Sequence, residues 1–360
     1  MSLPKRILIT GVYGQIGRAL AIDLIGKGCE VTGIERFEAN VFAELHAAGK
    51  LAHQPRVFIG EMAEKNSVLS ILKQVQPEYI VHLAACVHVG ESFIEPVGVL
   101  RNNIFSTLAV LDAAKELSPS VGLFNAATPE IFGDQSPPQT EATSFAPQSP
   151  YAVSKAAAVY LTRLYRSRGM RFSNGYIYNT ESIDRSPRYV LRKMTQAAPR
   201  IRLGLQPHLS LGSLDTRRSW MAREDTVAAI EAIMALPEGD DFIIAPPASH
   251  CRSVRELAEL VFQQENMPIT WHTQTLGSPS GVRPAKPAEV GVTTGNRIVI
   301  MTDDALLRPL DAPNLQGDAS KLTSRTGWRP QICLEALIKT ILASDACAAE
   351  AEARQRGLLF

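Results

Sequence analysis

The chain has 360 residues, is 45% hydrophobic and sets 37 basic against 36 acidic residues for a net charge of +1. That length allows one large domain or two intimately joined ones, and the even balance excludes a general attraction to nucleic acid or to an anionic membrane. The five dispersed cysteines (Cys29, Cys86, Cys251, Cys333 and Cys347) and seven scattered histidines show no metal-ligand spacing, so neither a disulfide framework nor a metal site is expected. The opening "MSLPKRILITG" runs straight into an apolar strand pattern, and no apolar run is long enough to span a bilayer. A soluble protein of a reducing compartment, the cytoplasm, is expected.

"RILITG" reads as a short buried strand, followed by a helix from about Gly14 to Lys27. "EVTGIE", "RVFIG", "EYIVHLAA", "VGLFNAAT" and "RFSNGYIY" continue the strands, with helical stretches between them. Strands alternating with amphipathic helices predict a doubly wound parallel α/β sheet, with ligands bound at the carboxyl ends of its strands. After Tyr178 the regularity breaks, and the stretch to Pro207 holds one helix. "EDTVAAIEAIMAL" and "SVRELAELVFQQ" are amphipathic helices separated by the strand "DFIIA". From about Asn266 to Asp318 the chain is rich in Pro, Gly and Thr and poor in helical pattern. A short helix starts in "DASKLTSRTGWRP", a final one is "CLEALIKTILASDA", and "AAEAEARQRGLLF" reads as a helical tail. The expected division is a dinucleotide-binding domain over 1–178, with 208–248 returning to it in part. A substrate domain covers 179–207 and 249–345, and a tail covers 346–360.

"TGVYGQIG" follows the first strand and opens the first helix. Gly11, Gly14 and Gly17 keep that turn tight and let backbone approach a pyrophosphate at the helix start, with Gln15 and Ile16 between them. The bland alternative is a strand-to-helix turn without a ligand. Glu35 and Arg36 end the second strand. A carboxylate there accepts from an adenosine ribose and repels a 2′-phosphate, whereas the arginine would pair with that phosphate; Glu35 tips the reading toward NAD over NADP. Glu61 and Met62, after the third strand, stand where an adenine would lie. Leu83, Ala84 and Ala85, at the end of the fourth, would pass under the cofactor.

The fifth strand ends in "NAATPEIFG", so Thr128 and Glu130 emerge at the ligand end of the sheet. "SPYAVSK" then begins a long helix, with Ser-Pro suited to its start. Tyr151 and Lys155 lie one turn apart on one face. A lysine ammonium beside a phenol lowers its pKa, so the phenol can exchange a proton with a substrate hydroxyl. "YVLRK", Tyr189 to Lys193, has the same spacing, but a hydroxyl, a carboxylate and a dinucleotide loop converge only around Tyr151.

These motifs resemble the extended short-chain dehydrogenase/reductase superfamily, and within it the chain is similar to the GDP-mannose 4,6-dehydratases from Ile7 to about Ala343. The most specific segments are "NAATPEIFG", "SPYAVSKAAAVYLTRLYR", "YNTESIDRSPRYVLRKMTQAAPRIRLGLQ", "LGSLDTRRSW" and "LRPLDAPNLQGDASKLTSRTGWRP". The resemblance implies a Rossmann-type sheet with a smaller, mixed C-terminal substrate-binding domain, and a tightly bound NAD or NADP that is recycled. Tyr151 would take the C4 hydroxyl proton while hydride leaves C4. Glu130 would remove the acidified C5 proton and help expel the C6 hydroxyl, and hydride would return to C6. Thr128 would bind the sugar near C4, and Lys155 the nicotinamide ribose.

The same resemblance places Lys193 and Arg218 near the substrate diphosphate and Val190 beside the base. Arg308 and Asp311 stand for the family's Arg-Pro-x-Glu, with the carboxylate facing guanine. His88, Glu91 and Ser92 belong to the sugar-facing loop, Asn179 to the same pocket, and Arg185 reaches the cofactor phosphates. The family's Asn-His-Glu-Ser-Pro-Arg-Arg-Gly becomes Asn179-Thr180-Glu181-Ser182-Ile183-Asp184-Arg185-Ser186. Its paired arginines after the second strand become Arg36-Phe37, and its Ala-Ala-Gln-Ser becomes Ala84-Ala85-Cys86-Val87. The catalytic set is untouched, so the reaction type is expected to persist on an altered sugar. The other readings are a GDP-sugar epimerase with a transient 4-keto intermediate, a UDP-glucuronate-type decarboxylase, and a non-catalytic sensor of nucleotide sugar or NAD(H). Relatives of this kind imply a homo-oligomer, a dimer or tetramer, through the helices Val97 to Leu117 and Tyr151 to Arg168.

Overall fold

The computed structural model describes residues 3–276 and 286–358. The first two residues of the opening segment, 277–285 of the Pro/Gly/Thr-rich stretch and the last two of the tail lie outside them. The first part of the chain alternates as expected: β1 (Arg6–Thr10), α1 (Gln15–Gly26), β2 (Glu30–Glu35), α2 (Val41–Ala47), β3 (Arg56–Ile59), α3 (Lys65–Val75), β4 (Tyr79–His82), α4 (Val89–Ile94), α5 (Pro96–Leu117), β5 (Gly122–Ala127), α6 (Pro150–Arg166) and β6 (Arg171–Ile177). Then follow β7 (Asn179–Glu181), α7 (Val190–Arg202), β8 (Leu209–Leu211), β9 (Arg217–Ala222), α8 (Arg223–Met234), β10 (Asp241–Ile244), β11 (Cys251–Ser253) and α9 (Val254–Gln264). Last come β12 (Ile269–Leu276), β13 (Lys286–Thr293), β14 (Ile298–Thr302), β15 (Asn314–Leu315), α10 (Ser320–Thr326) and α11 (Leu334–Gln355).

Among the described residues the main sheet runs β10-β6-β5-β4-β1-β2-β3, every pairing parallel. A parallel strand is buried on both faces, which is why these strands read as apolar runs. In β1, Ile7 and Ile9 pack toward Leu20 and Leu24 of α1 and Ile230 of α8, while Leu8 packs toward Leu72 of α3 and Leu111 of α5. Each such side chain removed from water contributes roughly 1.5–3 kcal/mol. The order reverses between β1 and β4, so their loops diverge and open a crevice at the carboxyl ends, where such sheets bind ligands.

The stretch poor in helical pattern is largely strand. β12 and β13 form an antiparallel hairpin, β14 extends it, and β8 joins β14 in parallel, which makes a small mixed sheet. A second small sheet is β11-β9-β15, with β7 added to β9. α7, α9 and α11 pack into one core through Leu191, Met194, Leu257, Val261, Leu337 and Ile341. α11 continues without a break at 346, so the stretch read as a tail is, through Gln355, the second half of this helix. Buried Ala349 and Ala353 and the Arg200–Glu352 ion pair fix it against α7.

Candidate active site

The loops after β1, β2, β4, β5 and β6 meet the segment before α7 and the one before β15 around a cavity of about 1530 Å³. That exceeds the ~300–1,000 Å³ usual for one small ligand and gives room for two extended ones. Gly11, Gly14, Gln15, Ile16 and Gly17 form one wall. Gly11 has φ of +70°, and a Cβ there would lie 3.0 Å from the Ala84 backbone. A Cβ on Gly17 would lie 2.4 Å from the Gly11 carbonyl oxygen. The loop is therefore a cradle that side chains would fill, with the α1 N-terminus opening into it, and it fits a dinucleotide pyrophosphate. Gln15 anchors it: Nε2 donates to Thr180 O at 3.0 Å and Oε1 accepts from Ser182 Oγ at 3.0 Å.

Glu35, Arg36, Met62, Leu83, Ala84 and Ala85 line the same wall. Burial pushes the Glu35 carboxyl above its ordinary range, opposed by the backbone N–H groups of Tyr13 and Arg36. Glu35 Oε1 accepts from Tyr13 N–H at 2.7 Å. Beneath, Thr10 Oγ1 accepts from the N–H groups of Leu83 and Ala84, each at 3.2 Å, and bonds His82 Nδ1 at 2.8 Å. Burial holds that histidine down to about 3, hence neutral, so it fixes the turn without adding charge.

At the centre, Ser149 Oγ accepts from Ala152 N–H at 3.0 Å and Pro150 takes the first turn of α6, as Ser-Pro predicted. This helix start delivers Tyr151 and Lys155 into the cavity beside Thr128 and Glu130. The Asn103 side chain ties α5 and α6 to the loop after β4, bonding both Cys86 backbone groups and Ser154 Oγ at 2.8–3.0 Å. Lys155 was expected to tune the Tyr151 phenol through its charge. Burial pushes the phenol well above its ordinary value; the Thr128 hydrogen bond and Arg185 act the other way. Lys155 Nζ donates instead to Ala126 O at 2.8 Å, and burial lowers its own pKa to about 8.

At the other end lie His88, Asn179, Arg185, Val190, Lys193, Arg218, Arg308 and Asp311. Lys193 Nζ donates to Ser210 O at 2.7 Å. Asp311 was expected to face a base. Here its Oδ1 accepts from Arg218 Nη2 at 2.7 Å and from Arg308 Nη1 at 3.0 Å, so two arginines claim it. Arg308 Nη1 also stands 3.9 Å from Glu130 Oε1, which joins the nucleotide end to the chemistry end. The structure does not bring Glu61 or Ser92 to the cavity. Glu61 Oε1 accepts from Ala63 N–H at 3.2 Å, and buried Ser92 donates to Val89 O at 2.6 Å. Tyr189 and Glu181 are among the lining residues to which the sequence assigned no role. Tyr189 stacks on His88 at 5.3 Å, and Glu181 is fully buried; the Tyr189–Lys193 spacing hinted at the first and the family's Asn-His-Glu-Ser segment at the second. Among the described residues no acid, histidine or cysteine cluster suits a metal ion, and no helix is long and apolar enough to cross a membrane.

A family model described as GDP-mannose 4,6 dehydratase matches residues 8–341. The GDP-mannose 4,6-dehydratase of Yersinia enterocolitica is 30% identical over 99% of this chain and 96% of its own length. The GDP-mannose 4,6-dehydratase sdnI of Sordaria araneosa is 31% identical over 95% of this chain, which spans 61% of that longer relative. Among solved structures, dTDP-glucose 4,6-dehydratase from Bacillus anthracis, in complex with NAD, covers 96% of this chain and 97% of its own with a TM-score of 0.74. At 17% identity that likeness is one of fold. The chain belongs to the GDP-mannose 4,6-dehydratase family and is a nicotinamide-dependent sugar-nucleotide dehydratase.

Proposed function

We propose that the protein converts a GDP-sugar to its 4-keto-6-deoxy derivative by loss of one water across C5 and C6. The observation that carries this reading is the convergence of Thr128, Glu130, Tyr151 and Lys155 on one cavity that the glycine cradle also lines. The cradle, Glu35 and Arg185 would hold the dinucleotide, which supplies a hydride acceptor and later a donor. Thr128 orients the C4 hydroxyl, and Tyr151 takes its proton. Against the burial that disfavours it, the ionised phenol is favoured by the Thr128 hydrogen bond and, less, by Arg185. The 4-ketone acidifies C5–H; Glu130 takes that proton and passes it to the C6 hydroxyl, which departs as water and leaves a C5=C6 double bond, and the hydride removed from C4 then returns to C6 while C5 takes up a proton. Lys155 holds the ribose side of the cofactor and, as an ammonium, adds positive charge to the site. Arg218, Arg308 and Lys193 receive the substrate diphosphate, and Asp311 orients the two arginines.

The inward carboxylate of Glu35 favours NAD over NADP. Self-association through α5 and α6 completes the reading, and five unpaired cysteines suit the cytoplasm. Mass spectrometry of GDP-mannose and a panel of GDP-sugars, incubated with NAD or NADP, tests the assignment. Loss of one water names the sugar. An unchanged mass with deuterium taken up from heavy water replaces the dehydratase with an epimerase, and silence across the panel favours a sensor.

A further inference from the structure

Glu181 is an unusual acid. It is 0% exposed, lines the cavity, and among the described residues neither carboxylate oxygen accepts a hydrogen bond. A carboxylate taken from water without hydrogen bonds is costly, so its counter-charges explain its presence. Burial pushes the carboxyl up to about 7, and two counter-charges oppose it, Arg185 and then Arg192. Arg192 is already committed to buried Asp345, and its Nε donates to Arg185 O at 3.2 Å. Arg185 is the other, with Nε 3.4 Å from Glu181 Oε1. Strand alternation puts Thr180 on the opposite face of β7, where it bonds Thr226 of α8 at 2.8 Å. Glu181 therefore shares the cavity face with Asn179.

Arg185 is held from three sides. Nη1 donates to Thr180 O, Nε meets Glu181, and the guanidinium lies 3.8 Å over the Tyr189 ring, which stacks in turn on His88. Its Nη2 makes no hydrogen bond among the described residues. The guanidinium is thus fixed in the cavity wall with donor capacity left over, which is how a protein presents an arginine to an organic diphosphate. We propose that Glu181 is a positioning residue that holds Arg185, against Tyr189, in place to receive the diphosphate of a bound nucleotide. The inference rests on the reading of the cavity as a dinucleotide and nucleotide-sugar site. Two ligands carry that group, the dinucleotide and the GDP-sugar. Without Glu181, Arg185 loses its counter-charge, keeps only the Thr180 carbonyl and the Tyr189 ring, and turns out toward water.

The test is a double-mutant cycle on the full chain, with E181Q, R185M and the double variant. Calorimetry with NAD alone and with GDP alone separates the two diphosphates, and a thermal midpoint is recorded for each protein. E181Q should weaken one of the two ligands on the order of tenfold, the scale of one charge-assisted contact. The loss should vanish in the R185M background, and the ligand affected identifies which diphosphate Arg185 meets. An equal loss in both backgrounds, or none for either ligand, overturns the inference while the dinucleotide reading stands. If the unaltered chain binds neither NAD nor GDP, that reading falls first and this one with it.

Discussion

Burial acts on Tyr151 and Lys155 in opposite senses, raising the phenol and lowering the ammonium, because the charged form is the one that loses water in each case. The sign for Lys155 follows. Its folded pKa, about 8, lies below the ordinary lysine value, so between roughly pH 8 and 10 the unfolded chain binds the extra proton and stability rises with pH. Lys155→Met removes that ammonium. Its thermal midpoint, relative to the unaltered protein, should be most favourable at pH 7 and should fall back by pH 10. The swing is worth roughly 3 kcal/mol at most; a pH-independent gap contradicts the buried charge. For the reaction, Tyr151→Phe should lower turnover by at least about 10²-fold yet leave NAD affinity unchanged, since the phenol is assigned to proton transfer. Full turnover in that variant refutes the role. Glu130→Gln should stop water release while C4 oxidation still raises nicotinamide absorbance on mixing with substrate. Persistent water loss would mean that another group is the C5 base.

The glycine turn makes the sharpest prediction among the elements. Gly17→Ala puts a methyl 2.4 Å from the Gly11 carbonyl oxygen and 2.9 Å from Val12 Cα, both backbone, so α1 must move off β1. NAD affinity should fall by more than about tenfold, with a loss of about 1–3 kcal/mol in stability, the range for overpacking; unchanged calorimetry would show that the cradle is slack. This loop was legible in the sequence because its spacing reflects local geometry. So were β1 to β6: β1, β4 and β5 are short apolar runs set by burial on both faces, and β3, at the sheet edge, was legible from its place in the alternation. β12 and β13 were not, because "ITWHTQTL" and "KPAEVGVT" mix polar with apolar residues and are defined by their pairing across the hairpin; β14, "IVIMT", carried strand propensity that its Pro/Gly/Thr-rich surroundings masked. The site divides in the same way. Thr128, Glu130, Tyr151 and Lys155 follow from strand ends and helix phase. Asp311 and Glu181 do not, since their partners Arg218 and Arg185 are decided by how separate segments meet. The raised Tyr151 pKa was hidden likewise, because it comes from the burial of the phenol where separate segments meet.

Over the whole molecule the helix that carries Tyr151 and Lys155 also carries a partly exposed apolar stripe. Val153 lies two residues past Tyr151, roughly 200° round the helix, so one face of α6 enters the active site while the other looks out. Val153, Tyr160 and Leu164 on that outer face are 43%, 56% and 46% exposed, and beside them Val97 and Phe105 of α5 are 71% and 53% exposed. The two helices pack against each other, so the stripe is continuous, and contiguous apolar surface of this kind marks an association site. The self-association proposed above, as a two-fold pairing of α5 and α6 with the same helices of a second copy, would bury it isologously. It would also brace α6 from behind, which would couple assembly to the activity proposed for Tyr151 and Lys155. Light scattering should give the unaltered chain at least twice its 39.2 kDa, and the pair Phe105→Glu and Leu164→Glu should bring it to that single-chain mass with circular dichroism preserved. Turnover per chain should then fall, because α6 loses its outer support while Tyr151 and Lys155 are chemically intact. An unaltered chain running at 39.2 kDa, or a charged variant that stays multimeric, rejects this surface.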